Sequence, residues 1–102
     1  MSHNILPGVA TGRQVQQIHK LAKEKAFALP AVNVTSSSTV NTVMETAAEL
    51  NSPVIVQFSN GGCHFNAGKG LNNDGQRAAI AGGVAGAKHV HELAPLYGAT
   101  VI

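Results

Sequence analysis

Apolar residues recur with the spacing of an α-helix in two stretches of the first half of the chain. The first stretch predicts a helix over residues 12–26 from the apolar positions Val15, Ile18, Leu21 and Ala22. Thr11 is followed three residues later by Gln14, a capping box that predicts Thr11 as the N-cap. The second helix follows the loop 35–38, which offers several N-cap residues, and ends before Pro53. It is predicted by Val40, Val43, Met44, Ala47, Ala48 and Leu50.

Three short apolar runs predict β-strands. The first covers residues 27–34 and carries Pro30 near its start, where a missing N–H can be spared. The second covers residues 53–58 and is bounded by proline and glycine, as expected for a buried strand of a parallel sheet. The third begins after Gly98 and reaches Ile102.

The second of these strands has two different faces. One face is formed by Val54, Val56 and Phe58. The other is formed by Ile55, Gln57 and Ser59. This second face turns from apolar to polar towards the carboxyl end of the strand, where sites form in α/β proteins. We therefore predict that Gln57 and Ser59 lie at the opening of a barrel; the alternative is an ordinary strand followed by a polar turn.

A glycine-rich segment and a long helix complete the chain. The segment 59–73 is predicted to be a loop, and Asp74 is predicted to cap a helix that ends near Tyr97, with Gly98 just after it. This helix contains Gly82, Gly83 and Gly86. Each glycine costs up to about 1 kcal/mol relative to alanine, which predicts close packing against another element. Strands that alternate with helices predict βαβ units and an α/β fold with a parallel sheet.

The composition predicts that this chain is part of a larger domain. Only 12% of its residues are charged, about half the fraction typical of soluble domains, and 44% are apolar. The third predicted strand reaches Ile102 with no crossover after it, so we expect an unpaired sheet edge there. Both observations favour neighbouring structure that covers this surface.

Charge, cysteine content and hydropathy argue against several classes of protein. The net charge of +2 comes from scattered basic residues, so we expect no nucleic-acid partner. The single Cys63 cannot form an internal disulfide or a cysteine-based zinc cluster. Residues 1–4 do not resemble the charged start of an export signal, and no apolar run approaches the roughly 20 residues that span a membrane. These features favour a cytoplasmic protein with no membrane partner.

Two segments look like known binding motifs, but their residue spacing does not match those motifs. The segment from Gly62 to Gly70 resembles a phosphate-binding P-loop, but five residues instead of four separate Gly62 from Gly68, and Gly70 replaces the hydroxyl residue. Backbone amides of this segment would still suit a phosphate. His89 and His91 lie two residues apart on a predicted helix, so they do not share a face and we expect no zinc site there.

Several blocks of the sequence carry a family resemblance: 27–33, 53–62, 67–70, 86–91 and 97–98. Together they resemble class II, metal-dependent fructose-bisphosphate aldolases, whose fold is a (β/α)8 TIM barrel. The resemblance implies that residues 1–102 form the N-terminal part of a single TIM-barrel domain with no internal boundary. They would supply the N-terminal helix and barrel strands one to three, roughly the first third of the enzyme.

The resemblance also implies a reaction. Members of this family reversibly cleave fructose 1,6-bisphosphate to dihydroxyacetone phosphate and glyceraldehyde 3-phosphate, with zinc as a Lewis acid. A monovalent cation is a further candidate cofactor. The zinc ligands and the catalytic aspartate are expected beyond Ile102, so we expect no catalytic residue and no metal ligand within this chain. The complete enzyme is expected to bind a phosphorylated sugar and to form a homodimer.

Four residues are expected, from the resemblance, to serve the substrate site. Ser59 matches a serine that contacts the substrate, and Asn33 matches an asparagine that lines the same pocket. Gln57 and Asn60 are expected to hold these two residues in place without contacting the substrate themselves. Two alternatives stay open. One is another class II sugar-bisphosphate aldolase, such as one for tagatose 1,6-bisphosphate, and the other is a non-catalytic partial barrel that packs against other chains or binds phosphate.

Overall fold

The computed structural model describes residues 5–102, and in this range the chain forms four short strands and four α-helices. In chain order these are β1 (Gly8–Val9), α1 (Arg13–Lys25), β2 (Ala31–Asn33), α2 (Ser37–Glu49), β3 (Ile55–Gln57), α3 (Asn60–Ala67), α4 (Arg77–Tyr97) and β4 (Thr100–Val101), with a 3₁₀ turn at Asp74–Gln76. The predicted α/β fold is confirmed. The prediction about an export signal at residues 1–4 lies outside the described residues. Between residues 5 and 102, each helix is too short or too polar to span a bilayer.

All strand pairs between residues 5 and 102 are parallel, as predicted. β2 pairs with β3 so that Ala31 lies opposite Ile55 and Asn33 lies opposite Gln57. β1 pairs with β4, and a bridge between Val54 and Val101 joins the two pairs. The strands are shorter than predicted: within the run 27–34, β2 covers only Ala31–Asn33. At the start of the run, Phe27 N donates to Ala22 O at 3.0 Å and thus still belongs to the end of α1.

The expectation of an unpaired edge at the last strand is wrong within the described residues. Ile102 N donates to Val54 O at 2.9 Å on one side of β4, while Ala10 N donates to Val101 O at 2.7 Å on the other side. The second partner is β1, which the sequence analysis missed because two residues are too few to show an alternating pattern. This strand begins at Gly8, whose φ of +113° is a conformation that glycine adopts readily.

The predicted capping of α1 is also wrong. Its N-cap is Gly12, at φ +48°, and no side chain caps the helix. The backbone carbonyl of Thr11, not its hydroxyl, accepts a hydrogen bond from Gln14 N at 2.9 Å. By contrast, the loop 35–38 supplies a cap for α2, as predicted: Ser36 Oγ accepts from Thr39 N at 3.4 Å.

The segment between β3 and α4 departs most from the prediction. Most of the predicted glycine-rich loop 59–73 is in fact helix α3. Asp74 does not cap α4 but opens the 3₁₀ turn, and α4 starts only after Gln76, at φ +64°. The predicted end of α4 is confirmed, since Gly98 follows Tyr97 in the left-handed conformation at φ +75°.

Helices α2 and α4 cover one face of the sheet and form the core with it. Val54 is only 4% exposed, and Val56 and Phe58 pack against the same core, so the two predicted faces of β3 are confirmed. Ile55 is half-buried and Gln57 is exposed on the opposite face. The buried core consists of Val34, Val40, Met44, Ala47, Val54, Val90, Ala94, Ala99 and Val101.

Candidate functional site

The candidate site lies at the carboxyl ends of β2 and β3. Asn33 and Gln57 are the last residues of these strands and lie opposite each other in the parallel register. Gln57 Nε2 donates a hydrogen bond of 2.6 Å to Asn33 Oδ1, and both residues are exposed. The bond uses the carbonyl oxygen of Asn33 and therefore leaves its NH₂ group to donate to a ligand.

Ser59 lies two residues beyond the end of β3 and is the N-cap of α3. Its Oγ accepts a hydrogen bond of 2.9 Å from Gly62 N. The hydroxyl hydrogen of Ser59 is not used in this bond and can still be donated to a ligand. Ser59 and Gly61 are exposed, so the first turn of α3 presents backbone N–H groups and the positive end of the helix dipole at the surface.

The close approach of α3 to the end of β2 depends on Gly62. A Cβ atom at Gly62 would lie 3.2 Å from Ser59 Oγ and 3.2 Å from the backbone oxygen of Val34, which directly follows β2. Such contacts are tighter than most side chains tolerate. The glycine therefore allows the Ser59 turn to lie against the segment that carries Asn33.

The structure brings Asn33 and Gln57 into direct contact and places Ser59 two residues further along the chain from Gln57. Asn60, the fourth predicted residue, is exposed in the first turn of α3. Its supporting role stays a prediction. The sequence analysis missed the helix that Ser59 caps. The signal was present, because Ser59 and Gly62 have the spacing of an N-cap and its N3 position, but two glycines in the first turn concealed it.

His64 and His89 contact different parts of the chain. His89 Nε2 is 2.8 Å from Asn41 Oδ1, a hydrogen bond that links α4 to α2, and His91 is exposed on α4. His64 Nε2 is 3.4 Å from the backbone oxygen of Leu71. In residues 5–102, no three His, Cys, Asp or Glu side chains come together in a way that would hold a metal ion. The donor set of the described residues therefore does not fit a zinc centre, which needs three or four such ligands.

Comparison with known proteins identifies the family. The family model described as fructose-bisphosphate aldolase class-II matches residues 13–102. The chain belongs to this family. Among curated class II aldolases, "Fructose-bisphosphate aldolase class 2" of Escherichia coli K12 is 54% identical over 99 residues, which are 96% of this chain and 28% of the relative. "Fructose-bisphosphate aldolase" of Schizosaccharomyces pombe is 49% identical over 100 residues, or 97% of this chain and 28% of the relative.

A solved aldolase has the same fold over this region. The crystal structure of fructose-bisphosphate aldolase from Campylobacter jejuni superposes with a TM-score of 0.87 and 47% sequence identity. The match covers 96% of this chain and 27% of the Campylobacter chain. The present chain thus spans little more than a quarter of the aldolases it matches.

Proposed function

We propose that this chain forms part of the substrate-binding site of a class II fructose-bisphosphate aldolase. The full-length enzyme would cleave fructose 1,6-bisphosphate reversibly to dihydroxyacetone phosphate and glyceraldehyde 3-phosphate. One observation carries the proposal: Asn33, Gln57 and Ser59 gather at the carboxyl ends of two adjacent parallel strands, the edge at which α/β barrels bind their substrates.

Two of these residues would donate hydrogen bonds to the substrate. The hydroxyl of Ser59 and the N–H groups at the start of α3 suit a phosphate oxygen, because they combine donors with the positive end of a helix dipole. The NH₂ group of Asn33 suits a hydroxyl or phosphate oxygen in the same pocket. Gln57 would hold the Asn33 amide in the orientation that makes this donation possible.

The proposed context is a single (β/α)8 barrel. β2, β3 and β4 would be its first three strands, and α2 and α4 would be the first two helices of its outer layer. Continuous pairing from β2 through β3 and β4 to β1 supports one domain with no internal boundary. The exposed face that carries Asn33 and Gln57 would then be the interior of the barrel.

The proposal that this enzyme depends on a metal rests on its family membership alone. Class II aldolases are metal-dependent, and we propose zinc for this enzyme, with ligands and the catalytic aspartate outside the described residues. No step of the reaction is assigned to this chain through the metal, since its donor set does not fit one. A monovalent cation remains a second candidate cofactor on the same basis.

Assembly and location are proposed on the same family basis: a homodimer in the cytoplasm. Exposed apolar residues on α4 are consistent with further protein that covers this helix. Ile80 is 61% exposed and Val84, one turn later, is 50% exposed.

A hybrid enzyme tests the proposal directly. This chain would replace the matching segment of the Escherichia coli relative, and cleavage of fructose 1,6-bisphosphate would be followed by an assay coupled to triose phosphate release. We expect an active hybrid, termed the full-length enzyme below. Residues 1–102 expressed alone serve as the control, and we expect them to be inactive, to bind no stoichiometric zinc, and to aggregate or associate with the missing part. A folded but inactive hybrid, or an active isolated chain, would contradict the proposal.

A further inference from the structure

Helices α3 and α4 meet at an unusually close contact, which we call the α3–α4 junction (Cys63, Asn66, Gly82 and Gly83). A Cβ atom at Gly82 would collide with the backbone oxygen of Cys63 and would lie 2.9 Å from Ala67 N. At Gly83, a Cβ atom would lie 3.1 Å from Cys63 Sγ. The two backbones approach so closely only because α4 carries glycines at these positions.

A hydrogen bond fixes this contact. Asn66 Nδ2 donates to the backbone oxygen of Gly82 at 2.9 Å, and Asn66 is half-buried. The partner is a carbonyl oxygen, so only the NH₂ end of the Asn66 amide can make the bond. The bond joins the last turn of α3 to the second turn of α4. It adds a directional contact to an interface that is otherwise formed by backbone and small side chains.

The orientation of α3 decides where the Ser59 hydroxyl lies. Ser59 caps the opposite end of the same helix, and its Oγ is tied to Gly62 N within the first turn. Asn66 lies two turns away, about 10 Å along the axis, so a tilt of about 6° at the junction moves Ser59 by about 1 Å. A displacement of this size at a binding group is enough to lower kcat/KM by as much as about 100-fold.

We propose that Asn66 is a positioning residue that acts on the substrate through Ser59. The inference rests on the proposed function, because it requires Ser59 to bind the substrate. Asn66 itself does not contact the substrate. Its bond to Gly82 holds α3 at the angle at which the Ser59 hydroxyl points into the site.

A double-mutant cycle in the full-length enzyme tests this inference. We expect Asn66→Ala to raise KM for fructose 1,6-bisphosphate by about tenfold and to change kcat by less than about twofold. In the Ser59→Ala background, the same substitution should change kcat/KM by less than about twofold, because the group it positions is gone. Thermal unfolding of each variant checks that the fold is retained, and Asn66→Ser, which is too short to reach Gly82, provides a second variant.

Asn41→Ala is the matched control. It removes a hydrogen bond of similar length between helices, from His89 Nε2 to Asn41 Oδ1, but leaves α3 untouched. Its effect on kcat/KM should be small and equal in both backgrounds. If Asn66→Ala lowers kcat/KM equally with and without Ser59, Asn66 is only structural and the inference is overturned, while the proposed function stands. If Ser59→Ala alone leaves kcat/KM unchanged, the proposed role of Ser59 fails, and the inference fails with it.

Discussion

Gln57 and Asn33 end neighbouring strands, and the amide of Gln57 donates to the side-chain oxygen of Asn33 across 2.6 Å. Neither amide is held by burial, since both residues are exposed. The bond between them is therefore the main restraint that the described residues place on the direction of the Asn33 NH₂ group.

Replacing Gln57 should impair substrate binding without unfolding the protein. In Gln57→Leu the donor to Asn33 is lost and the Asn33 amide is free to rotate. We expect kcat/KM to fall by about three- to tenfold, the value of one neutral hydrogen bond. Steady-state kinetics of the full-length enzyme would measure this. Gln17→Leu, an exposed substitution of the same kind on α1, should leave kcat/KM unchanged, and equal losses in the two variants would refute the role of Gln57.

Ser59→Ala should have two separable effects. Loss of a hydrogen bond to a charged phosphate should lower kcat/KM by about ten- to hundredfold. Loss of the N-cap of α3 should lower the free energy of unfolding by about 1 kcal/mol. Kinetics and urea unfolding would measure the two effects independently.

Ser36→Ala is the control for the capping effect. Ser36 caps α2 in the same way, so its removal should cost a similar free energy of unfolding but should not change kcat/KM. If both variants lose activity in proportion to their loss of stability, the proposed substrate contact of Ser59 is wrong.

Gly82→Ala should destabilise the fold although alanine favours helices. The gain in helix propensity is about 1 kcal/mol, but the added methyl group collides with the backbone of Cys63, and overpacking of this kind costs about 1–3 kcal/mol or more. Urea unfolding should therefore show a net loss of stability. At Gly83 the neighbouring atom is Cys63 Sγ, which can rotate away, so Gly83→Ala should be tolerated better. The reverse order would show that the α3–α4 junction is looser than described.

Replacing His64 or His91 should not reduce the zinc content of the full-length enzyme. His64 lies beside the Leu71 carbonyl and His91 is exposed on α4, so neither belongs to a cluster of ligands among the described residues. We expect His64→Ala and His91→Ala to keep the full zinc content of the full-length enzyme, measured by inductively coupled plasma mass spectrometry. Zinc loss in either variant, with an unchanged circular dichroism spectrum, would show that the histidine helps to hold the metal.

The sequence predicted those elements whose apolar pattern reflects burial on one side. α2 was predicted because Val40, Met44 and Ala47 face the core at helical spacing. The two faces of β3 were predicted for the same reason, since the core covers only the face of Val54 and Val56. Because one face of the strand turns polar, Gln57 and Ser59 were predicted to lie at the end of the strand that carries the site.

The missed elements owe their structure to distant contacts. α3 has glycines in its first turn and little helix propensity, and it forms because it packs on α4 at Gly82. The capping box at Thr11 was a local signal that the turn at Gly12 overrode. The pairing of Asn66 with Gly82 likewise depends on how the two helices cross, which no local pattern in either helix records.

The parallel pairing of β1 with β4 also determines when β1 can join the sheet during folding. Thr100 Oγ1 donates to Leu6 O at 3.1 Å, and the two residues are 94 positions apart in the sequence. A contact of this separation closes a long loop, which slows its formation relative to local structure. At a synthesis rate of about 5–20 residues per second, the first strand waits roughly 5–20 s for its partner to be made. β1 is thus synthesised well before β4, the strand that holds it in place, and until the two have paired β4 keeps an open edge at which a foreign strand can pair.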